Sequence, residues 1–231
     1  MAKFPLKEMQ RFGYFDEVYS ARSKAELLLG FFGVSSPDSW QSVWYAKNVA
    51  FRQTDRFHTS SESISAWVRA TEVFARRLES EIDVSGFDLV KLKTLISEIR
   101  GETRRKAEKA IPRVQELCAS VGILFVLVPE LPKTGISGCA RWLTDSKALI
   151  ALTLRHKRDD VFWFTFFHEL GHIILHRKTH KFIIDNAAES LMDRVVDVPV
   201  AFAEEEANRF AADTLIEPGA LFEYIRNGEF S

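Results

Sequence analysis

The pentapeptide His168-Glu-Leu-Gly-His172 constrains this chain more than any other feature. Positions i and i+4 of an α-helix lie one above the other on the same face, so both imidazoles can point at one metal ion. The surrounding segment 161–176 is apolar on almost every side, so this helix is expected to be buried. Buried ionisable groups need partners, and a metal ion would bind two neutral imidazoles and compensate the nearby carboxylate of Glu169. The pattern therefore predicts an internal zinc site of a hydrolase.

A zinc site needs a third protein ligand besides the two histidines. One arrangement places a glycine at 175 and a third histidine at 178, where this chain has Leu175 and Lys178. That arrangement is excluded. The other common arrangement uses a glutamate on a second, downstream helix, and residues 203–215 form a strongly helical stretch about thirty positions after His172.

The helical repeat chooses among the three glutamates that begin this stretch. Glu204 and Asn208 run along the edge of the buried stripe, whereas Glu205 pairs with Arg209 on the exposed face. Glu204 is therefore the predicted third ligand, and Asn208, one turn later, is predicted to hold a ligand imidazole. The alternative interpretations are histidines satisfied within the core and an acidic, solvated helix start favoured by the helix dipole.

Other residues near the motif remain open as candidates. His176 is expected at the end of the motif helix, where it would interact with the last carbonyl groups. Cys139 would bring a sulfur close to the cleft. If Glu204 is not the third ligand, the next candidates are Glu205, Glu206 and His176. Two more histidines, His156 and His180, could also lie near the motif.

These motifs resemble a known family. The run His168-Glu-Leu-Gly-His-x-x-Leu-His176, followed by Glu204-x-x-Ala-Asn-x-Phe-Ala and by Leu215-Ile-Glu-Pro218, is similar to the ImmA/IrrE family of metallopeptidases. Residues 137–143 and 160–168 resemble the C-terminal part of HigA-like, XRE-type antitoxin regulators. Those regulators usually carry a helix-turn-helix, which is not recognisable in this chain before residue 90.

The resemblance implies a zincin-like fold and a metallopeptidase with His168, His172 and Glu204 as Zn²⁺ ligands. It makes Glu169 the general base that takes a proton from the attacking water. The implied reaction is limited proteolysis of a protein partner, such as a repressor-type regulator. The alternative function is an antitoxin-like or transcription-regulatory interaction protein that has a metal site but little or no peptidase activity.

Composition excludes several other classes of protein. A formal net charge of −1 argues against direct nucleic-acid binding, which needs clustered excess cations. The start of the chain is too charged for a secretory signal, and the apolar run at 161–167 is far shorter than the roughly 20 residues of a membrane helix. Cys118 and Cys139 form no C-x-x-C pair. We therefore expect a cytoplasmic protein that does not bind membranes.

The hydrophobic pattern predicts an α+β protein with two regions. Residues 1–85 are expected to form a helical N-terminal region, and residues 86–231 to form the zincin-like domain. Within the second region, residues 123–128, 138–143 and 148–154 are predicted strands of a small antiparallel sheet. The last two form a hairpin immediately before the motif helix, so one hairpin strand is expected to line the cleft and to bind an extended peptide as an added strand.

Overall fold

The computed structural model of the protein describes residues 3–15, 24–45, 59–155, 158–176, 182–185 and 198–216, together with residues 219 and 226. Its N-terminal elements are α1 (Leu6–Arg11), α2 (Lys24–Phe32), α3 (Pro37–Trp40), a π-helical turn (Gln41–Tyr45) and α4 (Ser61–Glu81). Then follow α5 (Leu89–Glu102), α6 (Ala107–Ala119), β1 (Ile123–Leu127), β2 (Gly138–Thr144), β3 (Lys147–Leu152), α7 (Asp159–Leu175), β4 (Phe182–Asp185) and α8 (Val198–Leu215). The predicted mixture of helices and a small sheet is confirmed. No helix within the described ranges is long and apolar enough to cross a membrane.

The sheet is mixed rather than antiparallel, which corrects the prediction. Its strand order is β1-β3-β2-β4, and β1 runs parallel to β3. The β2–β3 hairpin is antiparallel as predicted. After β1, the connector at 128–137 leads to β2, which is not the neighbour of β1 but lies one strand further along the sheet. β3 then turns back and lies between β1 and β2. This return makes β3 parallel to β1.

Both hairpin strands are interior, so the expected binding of a peptide as an added strand on the hairpin is wrong. β2 pairs with β3 on one side and with β4 on the other, from Gly138 to Arg141. The sequence pattern did not predict β4, a strand of only four residues. Because the backbone groups of this part of β2 are already paired, they cannot accept a further strand.

Helices cover both faces of the sheet. Alternate strand residues point to opposite faces: Leu124 and Val126 pack with the core of the N-terminal helices, whereas Ile123 and Phe125 pack with the core of α5 to α8. Burial on both faces explains why residues 123–128 form a continuous apolar run instead of an alternating pattern. The boundary near residue 85 stays a prediction, but the helices that precede it share a core with the sheet.

A charge pair joins the N-terminal helices to the hairpin. Arg141 Nη2 on β2 lies 2.9 Å from Glu72 Oε1 on α4. Burial raises the pKa of Glu72, but Arg141 and Arg69 outweigh this effect and hold that pKa below its usual value. The carboxylate is therefore charged where it meets β2, and the pair fixes α4 against the strand that also borders the motif helix.

Candidate metal centre

The motif helix α7 lies between the sheet and α8. Its apolar side chains are buried in the core of α5 to α8, and they include Phe166, Phe167, Leu170 and Ile173. This packing also buries the motif itself: His168 is 2% exposed, Glu169 0% and His172 3%. The predicted burial of these three ionisable residues is confirmed.

Gly171, inside the motif, permits a close approach of α8. A Cβ atom added to this residue would lie 3.2 Å from Ala207 Cα and 3.1 Å from Phe210 Cδ1. A glycine in a helix costs roughly 0.5–1 kcal/mol relative to alanine. Here it lets the two helices touch at Ala207, one residue before Asn208 and one turn after Glu204. Helical periodicity alone does not identify Gly171 as important, although a glycine within a helical pattern can have a packing reason.

Three donor atoms of α7 and α8 converge on one point. His168 Nε2 and His172 Nε2 are 3.0 Å apart. The carboxylate of Glu204 lies 3.4 Å from the first nitrogen through Oε2 and 3.6 Å from the second through Oε1. These three side chains form the cluster that, in the described part of the chain, could hold a metal ion.

The donor set and its spacing fit a zinc ion. Tetrahedral ligands at about 2.0–2.2 Å from zinc are roughly 3.3–3.6 Å from one another, close to the three distances observed between His168, His172 and Glu204. Two imidazoles and one carboxylate are also a known ligand set of catalytic zinc sites. Glu204 is the most exposed of the three, at 16% of its side chain, so solvent reaches the cluster from the α8 side.

Asn208 orients the first histidine, as the helical repeat predicts. Nδ1 of His168 lies 2.9 Å from the Asn208 side-chain oxygen. An amide oxygen only accepts hydrogen bonds, so Nδ1 carries the proton. The lone pair of the neutral ring is then on Nε2, which faces His172 and Glu204. Glu205 lies outside the cluster and pairs with Arg209 at 3.0 Å, also as predicted.

Substituting Asn208 with Ala is expected to weaken zinc binding by about 10–100-fold, because the imidazole of His168 loses the acceptor that fixes its tautomer and orientation. Asn208→Asp retains an acceptor at the same place and should preserve affinity. Competition with a chelating dye measures both variants. Equal zinc affinity of Asn208→Ala and the unmodified protein would contradict this role.

Glu169 lies on the flank of α7 that faces β2, whereas the two histidines face α8. A Cβ atom added to Gly138 would be 2.6 Å from Glu169 Oε1 and 3.0 Å from Thr165 Cγ2. Only a glycine allows this carboxylate to lie directly against the backbone of β2. The hairpin therefore borders Glu169, as expected, although it does so as an interior strand. Gly138 is a second small residue that the sequence analysis did not single out.

Cys139 is buried on β2 and is not part of the metal cluster. Burial raises the pKa of its thiol to about 12, and the charge of Glu169 adds to that effect. A thiol with this pKa stays protonated at neutral pH, and a protonated thiol is a poor zinc ligand. Cys118 is also buried, and burial raises its pKa to about 12 as well.

His176 ends the motif helix, as expected, and its backbone N–H donates to the His172 carbonyl oxygen at 3.1 Å, but its imidazole contacts α8. Its Nε2 lies 3.2 Å from the Ala203 carbonyl oxygen and 3.8 Å from Glu206 Oε2. It thus joins the end of α7 to the residue before Glu204. His156 and His180 lie outside the described residues.

No protein-family model matches the chain, and no curated protein matches it in sequence.

Proposed function

We propose that the protein is a zinc-dependent peptidase that cuts a regulatory protein partner at a specific site. The observation that carries this proposal is the convergence of His168, His172 and Glu204 within 3.0–3.6 Å, with two of these ligands on the same helix as the fully buried carboxylate of Glu169. A purely structural zinc site has no need of an additional carboxylate next to its ligands. Membership of the ImmA/IrrE family and a zincin-like fold are parts of the same proposal.

In the proposed reaction, each residue has a separate task. A zinc ion held by His168, His172 and Glu204 would polarise the peptide carbonyl and activate a water molecule. Glu169 takes a proton from the attacking water and transfers it to the amine nitrogen of the leaving segment. The C–N bond thus breaks after the new C–O bond has formed, and Glu169 returns to its charged state.

The fold supports this division of tasks. Asn208 holds the ring of His168, and Gly138 leaves room for the carboxylate of Glu169 against β2. Because these partners are on rigid elements, little reorganisation is needed before reaction. A cytoplasmic location is part of the proposal, since Cys118 and Cys139 are separate buried thiols.

Incubation with a repressor-type protein encoded next to this protein in its genome tests the function. With zinc, we expect a cut at one site that mass spectrometry of the fragments locates. A chelator should stop the reaction, and added zinc should restore it. A repressor that stays intact with the zinc-loaded protein, or a cut that persists with the chelator, would contradict the proposal.

A second candidate function is a metal-dependent interaction protein. Exposed large apolar side chains on the two ligand helices favour it, because such side chains often mark partner-binding surfaces: Phe164 and Leu175 on α7, and Phe202 on α8. In that case a partner would bind and remain intact, and Glu169→Gln would leave every function of the protein unchanged.

A further inference from the structure

A pocket lies beside Glu169, at the N-terminal half of α7. We call it the Ser137 pocket. Its walls come from the end of β3, the start of α6 and the first turns of α7, and its volume is about 210 Å³. Ile111, Leu152 and Phe162 make much of its lining apolar. An engineered apolar cavity of about 150 Å³ takes up benzene, so this pocket has room for one large apolar side chain.

The pocket wall contains a buried hydroxyl group without a partner. Ser137 is 4% exposed, and its Oγ has no hydrogen-bond partner among the residues that the structure describes. The backbone oxygen of the same residue accepts a hydrogen bond from Thr153 N at 2.8 Å. Burying a hydroxyl group without a hydrogen bond has a free-energy cost, because the group loses its hydrogen bonds to water. A bound ligand that hydrogen-bonds Ser137 would remove this cost.

Two residues of the pocket wall, Ser137 and Thr165, adjoin the glycine against which Glu169 lies. Ser137 directly precedes Gly138, against which the carboxylate of Glu169 lies. Thr165, which also lines the pocket, is one turn before Glu169 on α7 and contacts the same glycine position. If the backbone of a bound peptide passes Glu169, the side chain of an adjacent peptide residue would therefore reach the pocket.

The rim of the pocket is cationic. Arg105, Arg155 and Arg158 line it together with Asp159, and Arg158 also pairs with the exposed carboxylate of Asp160, to which its Nε donates at 3.0 Å. The ion pairs of the other two arginines are longer: Arg155 lies 3.7 Å from Glu130, and Arg105 lies 3.4 Å from the buried carboxylate of Glu102. The pairs of Arg155 and Arg158 are partly or largely exposed and are therefore weak, so a ligand carboxylate can replace them.

We propose that the Ser137 pocket binds a large apolar side chain of the substrate peptide that has acidic residues next to it. This inference rests on the proposed peptidase function, because it assigns the pocket to the substrate of Glu169. The apolar side chain fills the pocket, the peptide backbone bonds to Ser137 Oγ, and the acidic neighbours pair with Arg155 and Arg158. The pocket would thereby select which segment of a protein partner is cut.

Binding of three labelled peptides to the zinc-loaded Glu169→Gln protein tests this proposal. The peptides have blocked termini and differ only at the centre, which reads Glu-Phe-Glu, Gln-Phe-Gln or Glu-Ala-Glu. We expect the first to bind at least 10-fold more tightly than the other two by fluorescence polarisation. Arg158→Glu should remove the preference for the acidic peptide, whereas Arg76→Glu, an exposed residue on α4, should retain it. Equal affinity for the three peptides would overturn the proposal.

Ser137→Ala separates ligand binding from folding. Removal of one hydroxyl group is expected to weaken binding of the Glu-Phe-Glu peptide by about 5–10-fold, because a hydrogen bond to the peptide is lost. The thermal midpoint should stay the same or rise, because the buried group without a partner is gone. Unchanged peptide affinity in this variant would show that Ser137 is not part of the binding site.

The outcome for the pocket is independent of the outcome for catalysis. If the Glu-Phe-Glu peptide binds as expected but the unmodified zinc-loaded protein never cuts a peptide or protein, the peptidase function is wrong and the pocket remains a binding site. If the protein cuts its partner but none of the three peptides is preferred, the peptidase function stands and the assignment of the pocket is wrong.

Discussion

Glu169→Gln is expected to abolish proteolysis while the fold and the zinc content stay unchanged. The glutamine side chain has nearly the same size as glutamate but cannot accept a proton from the attacking water. Loss of a general base lowers the rate by at least about 10²–10⁴-fold. The similar size matters because the side chain is fully buried and lies against the backbone at Gly138. A larger change at this position would disturb β2, and a loss of activity could then come from a damaged fold instead of from the missing general base.

The measurement is the rate of repressor cleavage at saturating zinc, with metal content and thermal midpoint recorded for the same samples. Glu116→Gln is a suitable control, because this residue is on the surface of α6 and pairs with exposed Arg113 at 3.1 Å. Cleavage by Glu169→Gln at the rate of the control would show that the hydrolytic mechanism is wrong. Loss of zinc from Glu169→Gln would instead show that this carboxylate supports the metal site.

The convergence of the site residues could be predicted from helical periodicity. Spacing of i and i+4 is enough to place His168 and His172 on one face, and the apolar stripe of the second helix separates Glu204 from Glu205. The structure brings His168, His172 and Glu204 together and leaves Glu205 exposed. Metal binding by these residues stays a prediction, because periodicity and proximity show where the side chains lie and not whether a metal ion is bound.

The residues that make room for the site carry no periodic signal. Gly138 and Gly171 matter because they lack a Cβ atom at two close approaches, one to Glu169 and one to Ala207. These approaches depend on how β2 and α8 pack against α7, which is a tertiary property. Ser137 is similar: a single serine in a connector carries no signal in the sequence, and only the structure shows that its hydroxyl group is buried without a hydrogen-bond partner in the described part of the chain.

The order of the strands could not be predicted for a related reason. A continuous apolar run such as residues 123–128 indicates burial on both faces but does not select a neighbouring strand or its direction. The pairing of Ile123 with Ala148 joins residues that are far apart in the chain. The short hairpin turn, by contrast, is a local feature, and the antiparallel pairing of β2 with β3 follows from it.

Glu204→Gln is expected to lower zinc affinity by more than about 100-fold. Losing a residue that only hydrogen-bonds to a zinc ligand typically lowers affinity by about 10–100-fold, and Glu204 is proposed to bind the zinc itself. The amide that replaces the carboxylate is neutral and a much weaker zinc ligand, while its size keeps the packing of α7 against α8 intact. His168→Ala and His172→Ala should have effects at least as large, because each removes one of three protein ligands. The unmodified protein should bind about one zinc ion.

Glu205→Gln is the matched control for this prediction. It makes the same chemical change one residue later on α8, where the side chain is 69% exposed and pairs with Arg209. Zinc content after dialysis, together with competition against a chelating dye, should separate Glu204→Gln from both the control and the unmodified protein. Full zinc occupancy in Glu204→Gln would move the third ligand elsewhere. The next candidates would then be Glu206 and His176, which lie 3.8 Å apart at the same end of the motif helix.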